Sequence, residues 1–235
     1  MTVDIREEAK NYYDQAMAAA KEARMEESIQ LFSKALSYLP FEGLYYRYRG
    51  HRHLNVREFD EGAADLELGS RLIPENWDVW YHLGLSYYLR SEFERAAMAY
   101  QCCLELTDTQ DAMIAIVDWY WMTMMHLGQT EKAQALLEKV SPEDDPGENV
   151  AYFKRVLLYK GVNTIEETME FFKNETEEAM NRITCGYGFG NYLRIQGDEA
   201  GAKAVWNEVL ALAGDTRAKY AFACLASEVE LGKVS

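Results

Sequence analysis

Trp77-Asp78-Val79-Trp80-Tyr81-His82-Leu83-Gly84-Leu85-Ser86-Tyr87 opens the stretch that decides the fold, residues 77–110. Read outward from it, the same positions recur every 34 residues. Trp80 is preceded by Tyr46 and Tyr12, and Gly84 by Gly50 and Ala16. Ala96 follows Gly62 and Ser28, Tyr100 follows Leu66 and Phe32, and Pro74 follows Pro40. Five classes of position that share one period and keep their size are the signature of a stacked repeat array.

Each unit reads as two amphipathic helices. In residues 9–42 the first half, Ala9 to about Lys21, places Tyr12, Ala16 and Ala19 on one face. The second half, Glu26 to Leu39, places Ile29, Phe32, Leu36 and Leu39 on another, and Pro40 ends it. Helices of about a dozen residues are marginal alone in water, so neighbours must stack to bury these faces. Small residues at the eighth position let paired helices approach, and large ones at the twenty-fourth fill the space between units.

These residues resemble the tetratricopeptide repeat family, whose pattern is an aromatic at 4, Leu-Gly at 7 and 8, an aromatic at 11, Ala at 20, an aromatic at 24, Ala at 27 and Pro at 32. Residues 77–110 carry Trp80, Leu83-Gly84, Tyr87, Ala96 and Tyr100, and depart at Cys103 and Asp108. Residues 43–76 carry Tyr46, Gly50, Gly62, Leu66, Gly69 and Pro74. The resemblance implies an all-α, right-handed superhelical solenoid of antiparallel helix pairs over residues 1–235. Clear units are expected at 9–42, 43–76 and 77–110, divergent ones at 114–147 and 148–182, and a recognisable one at 183–216.

The fourth unit is signalled by His126-Leu127-Gly128-Gln129 and Ala133, about three residues late, which puts an insertion near 111–113. Ser141 to Gly147 reads as a loop. The fifth pair turns at Gly161, and the sixth shows Gly190, Gly197-Asp198, Ala202 and Trp206. A last amphipathic helix, Arg217 to Leu231 within 217–232, is the expected cap. The second half also resembles, more faintly, tetratricopeptide lipoprotein adaptors of bacterial envelopes, which carry a lipidated cysteine near their start. This chain has no cysteine before Cys102.

The 235 residues are 49% hydrophobic and 13% aromatic, too apolar for disorder, and the formal net charge is −15. Such a surface repels phosphate backbones and anionic membranes, so neither nucleic acid nor membrane is expected as a partner. Cys102, Cys103, Cys185 and Cys224 have no zinc or disulfide spacing and read as reduced thiols of a cytoplasmic protein. The polar segment Met1 to Glu8 lacks an apolar signal core.

Enzyme signals are weak, and no catalytic residue, metal site or cofactor is expected. Gly186-Tyr187-Gly188-Phe189-Gly190 superficially resembles a dinucleotide loop but falls inside a helix, where three glycines point to close packing. His51 and His82 sit on adjacent units and come near one another, but two imidazoles without a third ligand make a poor zinc site. Glu166, Glu167, Glu170, Glu175, Glu177 and Glu178 read as a solvated face.

In this family the first helices line the concave groove. Mapped here, the resemblance implies a lining of Tyr13, Arg47, His51, Tyr81, Tyr88, Trp119, His126, Arg155, Tyr187, Asn191 and Arg194. Tyr, Trp and Arg dominate binding energy at interfaces, and arginine suits capture of a carboxylate. The expected function is a non-catalytic scaffold or adaptor holding a protein or peptide segment, with Arg47, Arg155 and Arg194 meeting acidic groups on the partner. The positions that clamp chaperone tails in some family members read Tyr13, Met17, Tyr48, Asp78 and His82 and do not match. The competing readings are a homodimer built on Tyr220 and Phe222, and an enzyme or small-molecule receptor using residues 111–190.

Overall fold

The computed structural model describes residues 4–234 and divides into two compact units, one ending at Arg90 and the other beginning at Ser91. Met1 to Val3, the start of the polar N-terminal segment, lie outside the described residues. Every regular element among the described residues is helical. Unit 1 holds α1 (Ile5–Lys21), α2 (Met25–Tyr38), α3 (Gly43–Asn55), α4 (Phe59–Leu72) and α5 (Trp77–Leu89). Unit 2 holds α6 (Phe93–Glu105), α7 (Gln110–His126), α8 (Thr130–Leu137), α9 (Val150–Tyr159), α10 (Ile165–Lys173), α11 (Ala179–Ile195) and α12 (Glu199–Ala213). A short 3-10 helix (Arg217–Tyr220) and α13 (Phe222–Glu230) follow.

The repeat is written most plainly in its turns. Left-handed residues occur at Ala23 (φ 60°), Arg57 (φ 69°) and Ser91 (φ 59°), 34 apart, then at Gly128, Gly161, Gly197 and Gly232. In most of them the next N–H reaches back over the helix end: Arg24 to the Ala19 carbonyl (2.9 Å), Glu58 to His53 (3.0 Å), Asp198 to Leu193 (2.9 Å) and Lys233 to Glu228 (2.8 Å). This closure satisfies carbonyls that a helix terminus would otherwise leave unpaired. The turn after α13 thus repeats the turn after every first helix of a pair.

The joints between pairs repeat as well. Tyr46 Oη donates to the Pro40 carbonyl (3.0 Å) and, one period later, Trp80 Nε1 donates to the Pro74 carbonyl (2.7 Å). Within pairs, Ser28 Oγ donates to the Ala16 carbonyl (2.8 Å). In the next pair the corresponding residues are Gly62 and Gly50. A Cβ on Gly50 would stand 3.0 Å from the Gly62 carbonyl oxygen, and one on Gly62 would stand 2.6 Å from Leu54. Phe32, Leu66 and Tyr100 are fully buried, as their place in the period demands.

Two expectations change. The insertion near 111–113 is absorbed as helix, because α7 runs 17 residues where α3 and α5 run 13. The expected continuous helix from Arg217 to Leu231 is broken at Ala221, which is extended (φ −66°, ψ 140°). Residues two apart point to opposite sides of a helix, so one helix cannot aim both Tyr220 and Phe222 inward. The break half-buries both, and neither stands out as the exposed apolar pair expected of a dimer face.

Candidate binding surface

In unit 1, α3 and α5 bring Arg47, His51, Asp78 and His82 together. The Arg47 guanidinium pairs with Asp78 and lies 4.5 Å over the Tyr48 ring. His82 Nδ1 lies 3.3 Å from the Asp78 carboxylate and 2.7 Å from its carbonyl. The His51 and His82 rings are 4.3 Å apart, close as the repeat spacing implied. Burial lowers both imidazoles from their ordinary value, His51 further, with neighbouring positive charge adding to it. For Asp78 burial pulls upward, but His82 and Arg47 outweigh it and hold the carboxyl well below the usual range. Tyr13 stacks on Tyr45 (5.3 Å) and meets Tyr48 edge-on (5.6 Å); burial and the Tyr48 hydroxyl push its own hydroxyl up to about 12. Tyr13, Met17, Tyr48 and His51 remain half-buried, whereas Arg47, Tyr81 and Tyr88 are buried.

A second ion pair of unit 1 serves the scaffold. Arg49 donates from Nε and Nη2 to the two Asp65 oxygens, both at 2.7 Å, and from Nη1 to Ser33 Oγ at 2.9 Å. It joins α3 to α4 and α2 in the two-bond geometry that arginine and carboxylate favour.

In unit 2 the centre of the corresponding face is enclosed, while Tyr152, His126 and Arg194 stay half-buried at its edges. Arg155 of α9 is fully buried 2.8 Å from Asp118 of α7, itself fully buried. Three rings, Trp119, Tyr152 and Tyr187, surround the guanidinium at 5.2–5.5 Å, and Nη1 donates to the Thr184 carbonyl at 3.2 Å. Burial pushes the Asp118 carboxyl up to about 7, against the pull of Arg155 and Tyr159. A Cβ on Gly188 would lie 1.9 Å from Arg155 Nε, so only glycine makes room for this side chain. Gly186 and Gly190, on the other face of α11, admit Phe172 and Trp206 in the same way. The glycine run is therefore a packing device within a helix.

At the far end of this face Arg194 meets Asn191 Oδ1 (2.6 Å), His126 Nε2 (2.8 Å) and Glu230 Oε2 (3.1 Å). His126 stacks on Phe93 at 4.0 Å, and burial followed by the Arg194 charge lowers it to about 3. Trp119 stacks on Tyr187 at 5.5 Å, which joins α7 directly to α11.

The eleven residues mapped onto the groove therefore divide. Trp119, Arg155, Tyr187 and Asn191 are fully buried, because α7, α9 and α11 close on one another. The three arginines expected to meet a partner's acids each hold an acid of this chain: Asp78, Asp118 and Glu230. Asp78 and Asp118 fall on the same mapped faces and could have been paired with their arginines from the sequence. Glu230 was missed, although the spacing from Gly197 to Gly232 marks α13 as one more first helix.

These stacked helix pairs define a helical-repeat protein, and comparison specifies the kind. No family model matches the chain. The small glutamine-rich tetratricopeptide repeat-containing protein 2 of Saccharomyces cerevisiae is 27% identical over 79 residues. That match takes in 34% of this chain and 23% of that protein, so the chain spans under a quarter of the curated relative's length. Among solved structures, PilF of Pseudomonas aeruginosa superposes with a TM-score of 0.59 at 13% identity, over 91% of this chain and 96% of that one. YrrB, described as a TPR protein with an unusual peptide-binding site, gives 0.53 at 18% identity, over 85% and 92%. MamA gives 0.54 at 14% identity, over 88% and 92%. The chain has the tetratricopeptide-repeat fold.

Proposed function

We propose that this protein is a non-catalytic adaptor that binds a segment of a partner protein along the first-helix face of unit 1. The observation that carries this reading is the difference in exposure along that face. Tyr13, Met17, Tyr48 and His51 stay half-buried on the face that carries Arg47, while Trp119, Arg155, Tyr187 and Asn191 of unit 2 are fully buried. Half-exposed aromatic rings over a fixed guanidinium offer stacking and apolar contact at low entropic cost. The peptide-binding site named for YrrB supports the same use of the fold. None of the four cysteines is in a disulfide, which suits a reducing compartment such as the cytoplasm. No helix among the described residues is long and apolar enough to cross a membrane.

Reversing the charge of Arg155 cannot test this, because that side chain is core. A photo-reactive phenylalanine derivative at Met17 or His51 can, with Met98, 71% exposed on α6, as control. In lysate from the source cells, Met17 and His51 should crosslink to a common protein that Met98 does not capture. Identical capture from all three positions, or none from the first two, would overturn the reading.

A further inference from the structure

Glu230 is the last residue of α13, and three side chains from two other helices converge on its carboxylate. Arg194 Nη1 lies 3.1 Å from Oε2, and Tyr187 Oη lies 3.4 Å from Oε1. His126 Nε2 lies 3.7 Å from Oε1. The two sides of this contact differ in rigidity. Arg194 is fixed by Asn191 and His126 and lies 5.9 Å over the Trp206 ring. Tyr187 is fully buried between Trp119 and Trp206. The acceptor sits on the last turn of a nine-residue helix. The buried residues of that helix stop at Ser227, and Glu228 to Leu231 are half-exposed ahead of left-handed Gly232. Last turns fray first, and the turn can open without removing Ala223 to Ser227 from the core. Burial pushes the Glu230 carboxyl up against the pull of Arg194 and Tyr187, and Glu199 adds to the rise.

We propose that Arg194 and Tyr187, with His126 holding the Arg194 guanidinium in place, form a receptor for the carboxylate of an acidic side chain on a partner, and that Glu230 is its built-in occupant. The last turn of α13 is then a strap that an incoming acidic residue displaces. This rests on the adaptor reading and adds to it the chemistry of a second contact and a device that keeps the contact closed in the free protein.

The test vacates the site and offers it free acids. Glu230→Ala is titrated with N-acetylglutamate N-methylamide, which presents a side-chain carboxylate, and with N-acetylglycine, which presents a chain end. Thermal midpoint and the indole signal of Trp206 are followed at constant ionic strength. The glutamate derivative should bind Glu230→Ala at least tenfold more tightly than wild type, and Glu230→Ala/Arg194→Gln should lose that gain. If Glu230→Ala is not folded by circular dichroism, Glu230→Gln, which keeps the helix end filled, is titrated in its place. Preference for N-acetylglycine would overturn the side-chain assignment. Equal binding to wild type and variant, or none to the folded variant, would overturn the receptor itself. The crosslinking at Met17 and His51 reports on unit 1 alone, so that experiment can fail while this one succeeds, and the reverse.

Discussion

Both units fix an arginine of one first helix against a carboxylate of another, and they do so in opposite environments. In unit 1 Arg47 meets Asp78, whose side chain is 39% exposed, and two half-buried tyrosines stand beside the pair. In unit 2 Arg155 and Asp118 have no exposure at all and are ringed by aromatics. The regular 34-residue period keeps the first helices evenly spaced, and a face stays partly open. In unit 2 the helices range from 8 to 17 residues, and long side chains from α7 and α11 meet across the short α9. The same residue types thus leave a partly exposed ion pair where the repeat is regular and a fully buried one where it is not.

The largest expected effect breaks this comparison at its two ion pairs. Asp118→Leu leaves a buried guanidinium that cannot shed its charge, and should cost about 3–5 kcal/mol in chemical denaturation. Arg155→Met leaves a carboxyl that burial, no longer opposed by the guanidinium, holds protonated, so it should cost less, and less at pH 6 than at pH 8. The double variant should return to within about 1–2 kcal/mol of wild type. Arg47→Met in unit 1 faces a partner that water already reaches and should cost about 1 kcal/mol. Equal costs in the two units would end the distinction.

Acid should separate the units next. His51 and His82 are held neutral by burial, so below about pH 6.5 the unfolded chain takes up protons that folded unit 1 refuses. Asp78 acts in the same sense: its depressed pKa contributes stability above about pH 4 that is lost on further acidification. In unit 2 His126 also loses stability as the pH falls below about 6.5. Asp118 opposes it, since the folded carboxyl binds its proton near pH 7 and the unfolded one only near about 3.9. Glu230 shifts in the same direction as Asp118. Between pH 7.5 and 5, amide exchange corrected for intrinsic rate should therefore lose more protection in α3 and α5 than in α7, α9 and α11. Equal loss would mean that His126 outweighs both carboxyls.

The smallest effect lies in the turns. Ala23→Gly and Ser91→Gly relieve a left-handed residue and should raise stability by up to about 1 kcal/mol each. Gly128→Ala and Gly197→Ala should lower it by a similar amount, read as thermal midpoints. A gain at Gly128 would show that the divergent turns do not share the geometry of the regular ones.

Much of this architecture was legible because it is local. Pro40 and Pro74, the aromatic at the fourth position and the Gly50–Gly62 approach all follow from spacing within 34 residues, and each is seen as a bond or a contact. The glycines of α11 announced close packing because each is costly in a helix unless something needs the room. Whether a first-helix face is open was not legible. That depends on Trp119 reaching Tyr187 and His126 reaching Arg194, each across 68 residues of chain, and no short-range pattern records such an approach. The break at Ala221 was lost for a different reason, since Tyr220 and Phe222 satisfied an amphipathic pattern only loosely.

Gly188 and Arg155 stand 33 positions apart, and neither is a free choice. With a hydrogen at one, the other can carry the longest basic side chain into the interior; with a methyl there, the guanidinium has nowhere to lie. The two sites form a single inherited unit. A sequence descending from this one could release the glycine only after it had given up the arginine, and with the arginine would go the reason for Asp118.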